Sequence, residues 1–263
     1  MAALSKKNPR VQAARLLARD AKERASEGRF LVEGPKLVRE ALAGAVEIVE
    51  VFVSPKLAER DAALAAMLGG QRVTILEVDD ATLADLAALQ VSQGIVAVAR
   101  IPARGGAEAM LEGDGDLLIA AGVQDPGNAG ALVRIAAAAG FAGVVADRET
   151  ADFFSPKAVR GSAGAVLRVP VVRVDDLVAF AGGFAWKGGV VLGAVPRGGD
   201  APAKVELGKR VALVLGSEGQ GIPPALAEAL TARVTIPMAG AVESLNVASA
   251  AAILAFEIRR RRE

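Results

Sequence analysis

The order of apolar runs along the chain predicts an α/β fold with a largely parallel sheet. Short β-rich runs alternate with helical patterns, and polar, glycine-rich turns follow several of the strands. Leu117 to Val123 is a continuous apolar run, as a parallel strand buried on both faces requires.

The elements follow in order. Residues 9–24 read as an amphipathic helix on Val11, Leu16 and Leu17, ended by Ser26-Glu27-Gly28. Phe30-Leu31-Val32 is a short apolar run, and Lys36 to Leu42 a helix. Val46 to Val53 is β-rich, and Pro55 sits as an N1 proline opening a helix to about Leu68. Val73 to Val78 is a strand, Asp79 or Asp80 caps a helix from Thr82 to Leu89, and Ile95 to Ala99 is a strand. Glycine, proline and acidic clusters around residues 103–116 mark a linker between a domain at 1–102 and a second at 117–263. After the Leu117 strand come a helix at Asn128 to Gly140 and strands at Gly143 to Ala146 and Val169 to Val172. A helix from about Asp175 precedes strands at Val190 to Val195 and Val211 to Leu215. The chain closes with a helix at Pro223 to Leu230, a strand at Val234 to Ile236 and a long helix from Ser244 to Arg262.

Composition excludes much chemistry. The 263 residues hold no Cys, His or Tyr. Disulfides, thiolate and imidazole catalysis, and most transition-metal sites are therefore out of reach. No secretory signal opens the chain, and the longest apolar run, Val247 to Phe256, is about half a membrane span. A soluble, cytoplasmic protein is expected. The formal charge is +1, yet residues 1–40 carry ten Lys+Arg against five acids, and Arg259 to Arg262 close the chain. Basic ends on a neutral body suit a polyanion partner. Solvated helix faces and a dipole-favoured basic C-terminus account for the same charges.

Chemistry in a parallel sheet gathers beyond the carboxyl ends of strands. Three strand-end segments stand out. Gln124-Asp125-Pro126-Gly127-Asn128-Ala129-Gly130 follows the Leu117 strand; Asn128 is placed to cap the next helix, and Arg134 interrupts an otherwise apolar helical stretch. Leu215-Gly216-Ser217-Glu218-Gly219-Gln220-Gly221-Ile222 has three glycines in six residues, and is neither a Walker A loop nor a dinucleotide fingerprint. Ile236 to Asn246 includes Pro237, Met238 and Gly240, and Ser244 is a natural N-cap. The following helix is apolar nearly all round, which implies burial on several sides, a second subunit among them.

These three segments, in order, spacing and strand-end placement, resemble the signature motifs of the SpoU (TrmH-type) ribose 2'-O-methyltransferases of the SPOUT superfamily. Lys157-Ala158-Val159-Arg160-Gly161-Ser162-Ala163-Gly164-Ala165 and the following Arg168-Val169-Pro170-Val171 also match. Phe30-Leu31-Val32-Glu33-Gly34 resembles the small L30e-like RNA-binding domain that many members carry. The resemblance spans nearly the whole chain, and the basic opening stretch favours the ribosomal-RNA branch over tRNA. One departure is Val247-Ala248-Ser249-Ala250, where many members place the serine earlier.

The resemblance implies transfer of a methyl group from S-adenosylmethionine to a ribose 2'-hydroxyl without a metal. It implies a C-terminal deep trefoil knot, which generic topology rules disfavour, and a homodimer with the site near the interface. Arg134 becomes the catalytic arginine, with Asn128, Glu218, Ser244 and Asn246 shaping the site. Leu215, Gly216, Ile236 and Leu245 contact the cofactor, with Met238 nearby and Val195 and Pro196 lining the same pocket. Since an arginine stays protonated, stabilising a developing alkoxide and positioning a phosphate suit it better than acting as a base. Arg29 and Arg39 become probes of the RNA footprint, and Phe30, Phe153, Phe154 or arginine planes the stacking surfaces. A non-catalytic RNA-binding protein leaves Asn128, Arg134, Glu218, Ser244 and Asn246 unexplained. A nucleotide-dependent oxidoreductase lacks its fingerprint.

Overall fold

The computed structural model describes residues 3–70, 72–87, 93–240 and 243–263. Leu89, at the expected end of one helix, and Ala241 and Val242, inside the third motif, lie outside the described residues. The chain forms two compact units, Met1–Ala103 with Phe154–Arg168, and Arg104–Phe153 with Val169–Glu263.

The first unit is a four-stranded sheet: β1 (Arg29–Glu33), β2 (Ile48–Val53), β3 (Thr74–Glu77) and β4 (Ile95–Arg100), in the order β1-β4-β2-β3. β4 runs antiparallel to β1 and β2, while β2 and β3 are parallel. The helix expected over 9–24 is two helices, α1 (Pro9–Arg19) and α2 (Ala21–Glu27). Asp20 breaks it, because its carboxylate accepts the Lys22 N–H and caps the second helix. The buried face of α1 is Val11, Ala14 and Leu17, and Leu16 is exposed. After α3 (Pro35–Glu40) and a π-helical turn, the same capping effect splits the helix expected after Pro55. It becomes α4 (Leu57–Arg60) and α5 (Ala62–Gly69), with Asp61 accepting from Leu64 N. That N–H and the Arg39 guanidinium hold the Asp61 carboxyl below its ordinary range. Asp79 caps α6 (Asp80–Leu86) as expected, by accepting from Thr82 N.

Much of the basic N-terminal charge is engaged inside this unit. Arg15 and Arg19 pair with Asp85, Arg10 with Glu50, and Arg39 with Asp61, while Arg24 is buried and bonds to the Leu17 carbonyl. Arg29 lies 3.8 Å from Glu27. Phe30 is fully buried against the edge of Phe154, so it packs the core instead of stacking on a base. Phe154 opens the excursion 154–168, which the linear domain reading assigned to 117–263. Here it docks on β1 through α9 (Pro156–Gly161), with Arg160 on Glu33 at 3.3 Å and Arg168 on Glu40 at 2.8 Å.

The second unit is a wholly parallel six-stranded sheet. Its strands are β5 (Leu117–Ala120), β6 (Gly143–Ala146), β7 (Val171–Arg173), β8 (Val190–Ala194), β9 (Val211–Leu215) and β10 (Ala232–Val234), in the order β10-β8-β9-β5-β6-β7. β5 and β9 are buried along their whole length, which explains their unbroken apolar sequences. The stretch read as a linker contains α7 (Ala107–Glu112), and Met110 is buried in this unit's core with Leu117, Phe180 and Val214. Arg210 holds it there. Its guanidinium donates to the carbonyls of Met110 at 2.8 Å and Leu111 at 2.9 Å, and lies 4.5 Å from the Phe184 ring centre.

The helices of this unit are α7, α8 (Pro126–Ala139), α10 (Leu177–Trp186), α11 (Pro224–Glu228) and α12 (Val247–Arg260). Two expected caps are corrected. Asp125, not Asn128, caps α8 by accepting from Asn128 N, and Asn246, not Ser244, caps α12 by accepting from Ala248 N and Ser249 N. In both cases the asparagine side chain is placed by backbone geometry within reach of the next loop. The C-terminal arginines are structural. Arg259 donates to the Ala138 carbonyl, Arg260 to Glu257, Arg261 to the Pro202 carbonyl, and Arg262 makes two bonds to Asp116. Among the described residues, no helix is long and apolar enough to cross a membrane.

Arg210→Ala strands two buried carbonyls, at about 1–3 kcal/mol each. Urea unfolding should therefore show the variant destabilised by about 2–4 kcal/mol. A variant as stable as the parent would mean that α7 docks without this clamp.

Candidate active site

The strand order decides where a site can form. At the carboxyl edge of the second sheet the exits lie side by side in the order β10, β8, β9, β5, about 4.8 Å apart. From β5 the chain leaves toward β6, and from β9 it leaves toward β10, across β8. The β5/β9 boundary is therefore a topological switch point, the place where ligands generally bind in open α/β sheets. The strand-end segments singled out in the sequence leave from these neighbouring exits.

The first and second segments meet at that boundary. Ala121 N donates to Leu215 O at 2.9 Å, and a side chain placed on Gly122 would meet Ser217. The loop after β9 folds tightly on itself, with Ser217 and Gly221 exchanging two backbone hydrogen bonds. Gly216 makes this possible. A Cβ there would lie 2.1 Å from the Gly221 carbonyl carbon and 2.3 Å from Ile222 N, both backbone atoms. Only glycine fits.

A hydrogen-bonded chain ties all three motifs together. The Asn128 side-chain amide donates to Glu218 Oε1, and its oxygen accepts from the Asn246 amide at 3.3 Å. Asn246 in turn accepts from Ala248 N at 2.9 Å, and Asn128 N donates to Asp125 at 2.9 Å. Glu218 fixes which end of the Asn128 amide faces it, because a carboxylate only accepts. Residues 90 and 118 positions apart in sequence are thus placed by one amide.

Arg134 is exposed on α8 and makes no hydrogen bond or ion pair with any described residue. Positions three, four and seven residues back are Ala131, Gly130 and Gly127. The helix face beneath the arginine carries almost no side chain, and helical side chains lean toward the N-terminus. The guanidinium therefore has an open track toward the end of α8 that holds Asn128. Ser244 is exposed and bonds to no described residue.

The adjoining loops offer backbone. The N–H groups of Gly216, Ile236 and Leu245 donate to no described residue. Leu245 is 38% exposed, an apolar side chain open beside the Asn128–Asn246 pair. Met238 and Ile236 are half-buried and Leu215 is buried. The loop after β8, with Val195 and Pro196, is stitched to β10. Val195 N donates to Val234 O at 2.9 Å, and Thr235 Oγ1 donates to Val195 O at 3.0 Å. Free backbone donors beside the exposed Leu245 and the half-buried Ile236 and Met238 fit an adenosyl group, which needs an apolar surface and edge hydrogen bonds.

Sequence reasoning missed two supports. Thr150 is buried; its hydroxyl donates to Ala120 O at 3.0 Å and accepts from Val123 N at 3.3 Å, tying the loop after β6 to the start of the first motif. Arg173 gathers the carbonyls of Asp147, Thr150 and Ala151 at 2.7–2.8 Å and lies over the ring of Phe153. Burial lowers its pKa, opposed by Asp152 and Asp147. Phe153 is 1% exposed, so it is core and unavailable for base stacking. Asp147, three residues before Thr150, was the only local signal for the turn.

Comparison with known proteins identifies the family. Residues 117–256 match the SpoU rRNA Methylase family, and residues 8–97 match the MRM3-like substrate binding domain. The 23S rRNA (guanosine(2553)-2'-O)-methyltransferase RlmP of Bacillus subtilis is 33% identical over 244 residues, 90% of this chain and 91% of that protein. The AdoMet-bound rRNA methyltransferase of Sinorhizobium meliloti superposes with a TM-score of 0.82 at 30% identity, covering 98% of this chain and 96% of that one. AviRb of Streptomyces viridochromogenes, a SpoU methyltransferase solved with AdoMet, gives 0.86 at 26% identity, covering 97% and 98%. Motifs, fold and relatives agree, and the chain belongs to the SpoU rRNA methylase family.

Proposed function

We propose that this protein methylates a ribose 2'-hydroxyl of large-subunit ribosomal RNA, using S-adenosylmethionine. The observation that carries the reading is the convergence of Glu218, Asn128 and Asn246 at the β5/β9 switch point, beside loops with free backbone donors. The rRNA assignment is supported by the match of residues 8–97 to a substrate binding domain and by RlmP, a named 23S rRNA 2'-O-methyltransferase. We infer a cytoplasmic location, which an rRNA substrate supports.

When bound, S-adenosylmethionine supplies the electrophilic methyl group. Gly216, Ile236 and Leu245 would hold it by backbone, with Leu215, Met238, Val195 and Pro196 around it. Asn128, fixed by Glu218 and Asn246, shapes the floor on which the ribose is oriented, and Ser244 lies in the loop that closes the third motif. Arg134 stabilises the alkoxide that develops as the 2'-hydroxyl loses its proton, and holds a neighbouring phosphate. It remains charged throughout, which suits it to stabilise and not to accept the proton. Orienting donor and acceptor in line supplies much of the remaining rate.

The C-terminal segment is proposed to form the family's trefoil knot. In support, the chain returns from edge strand β10 to set Asn246 against Asn128 and α12 against α8. The same helix supports a homodimer. It buries one face and leaves Ile253 46% and Phe256 48% exposed, one turn apart.

Three measurements check this. Labelled S-adenosylmethionine should mark total rRNA and not tRNA, and Arg134→Ala should lower the rate by about 10²–10³ while calorimetry shows cofactor affinity kept. Absence of label in rRNA contradicts the reading. Gly216→Ala should weaken cofactor binding at least tenfold, because the forced opening of its loop moves the backbone donors; parental affinity would exclude that loop from the cofactor site. Ile253→Asp with Phe256→Glu should convert a dimer into a monomer by light scattering, and an unchanged mass would place the interface elsewhere.

A further inference from the structure

The sequence locates RNA-binding charge at the two basic ends, but the structure engages most of those arginines internally. The four C-terminal arginines bind carbonyls or acids, Arg148 pairs with Asp175, and Arg173 and Arg210 hold backbone carbonyls. Apart from Arg134, the second unit presents exposed Arg197 and Arg233, neither of whose side chains bonds or pairs with any described residue.

Both belong to one rigid feature. Arg197 sits in the loop after β8, and Arg233 in the adjacent edge strand β10. The two are fastened together. Asp200 N donates to Arg233 O at 3.0 Å, Thr235 N to Asp200 O at 2.9 Å, and Gly199 N to Thr235 Oγ1 at 2.9 Å. Gly199 is pressed so closely on β10 that a Cβ would lie 2.7 Å from the Val234 carbonyl carbon. Gly198 turns at φ +78. A cation on such a loop loses less freedom on binding than one on a mobile tail.

The position relates to the site. β10 and β8 lie at one end of the row of exits that reaches β5 through β9. That row spans about 14 Å. A charge on an edge strand also guards against unwanted strand pairing, which explains Arg233 alone. It does not explain a second unpaired guanidinium on the loop fastened to that strand. Asp200 is the exposed carboxylate of the same loop.

We propose that Arg197 and Arg233 bind phosphates of the substrate RNA strand beside the methylated ribose, so that the catalytic unit carries its own RNA footprint. This rests on the functional reading above and adds the surface by which the substrate is held. Phosphate contacts of this kind add affinity without base preference.

The test is filter binding of total rRNA from about 50 to 200 mM salt, with KM and kcat for methyl transfer measured in parallel. The Arg197→Ala, Arg233→Ala double variant should bind rRNA about tenfold or more weakly, with the salt slope reduced by roughly 1–2 units. Its KM should rise while kcat stays within about twofold and S-adenosylmethionine affinity is unchanged. Asp200→Asn should strengthen binding. Unchanged rRNA affinity and slope in a folded double variant would overturn the proposal. So would loss of cofactor affinity with rRNA binding intact, which would place Arg197 on the cofactor carboxylate. Wild-type protein that binds rRNA yet transfers no methyl group would defeat the functional reading, and the salt slopes would still decide this one.

Discussion

The amide of Asn128 is the interaction on which the site depends. It faces Glu218 with its nitrogen and Asn246 with its oxygen, and so joins the loops after β5 and β9 to the start of α12. Each of those loops would otherwise be a glycine-rich surface turn with little reason to hold one shape. The strand order brings the loops within reach, and the Asn128 amide bridges them because it donates to the Glu218 carboxylate and accepts from the Asn246 amide. Two capping interactions then fix the bridge. Asp125 holds the backbone of Asn128, and Asn246 caps α12 with the same oxygen-bearing amide it offers to Asn128. The cost of ordering the site is therefore shared with helix formation that the fold needs in any case.

Arginine does two kinds of work in this protein, which has no histidine, cysteine or tyrosine. Most of the arginines of the second unit are structural. Arg210 and Arg173 terminate backbone segments by collecting carbonyls, and Arg262 fastens the end of the chain to Asp116 at the start of β5. The planar, multiply donating guanidinium suits this, because one side chain can satisfy several acceptors at once. Those that remain unpaired and exposed lie at or near the carboxyl edge of the sheet. Counting charge along the sequence does not separate the two kinds. The run Arg259 to Arg262 looks like a polyanion site and bonds to carbonyls and acids, whereas the isolated Arg134, Arg197 and Arg233 bond to no described residue.

Much of the architecture was legible in the sequence. Buried parallel strands announce themselves as unbroken apolar runs, so β5, β6 and β9 lie within a few residues of the sequence reading, and the side chains of Asn128, Glu218 and Asn246 from the three strand-end segments meet in the structure. The errors in helix ends share one physical origin. Asp20 and Asp61 split helices that hydrophobic periodicity reads as continuous, and Asp125 and Asn246 take the caps expected of Asn128 and Ser244. Capping is a contest among neighbouring polar residues, and it is decided by backbone angles that the sequence shows poorly. Long-range pairings were not legible at all. Nothing local connects Arg210 to Met110, or the excursion 154–168 to β1. A linear reading therefore cut the domains at one crossing where the chain crosses three times.

The central claim is that Asn128 and Glu218 act as one unit. A double-mutant cycle on kcat/KM for methyl transfer to rRNA, with Asn128→Ala, Glu218→Gln and the pair, tests it most directly. Once either partner is gone, the other has lost its function in the bridge. The double variant should therefore be no slower than the slower single variant. Effects that multiply, so that the double variant loses the product of the two single losses, would contradict the account and leave the two residues acting independently.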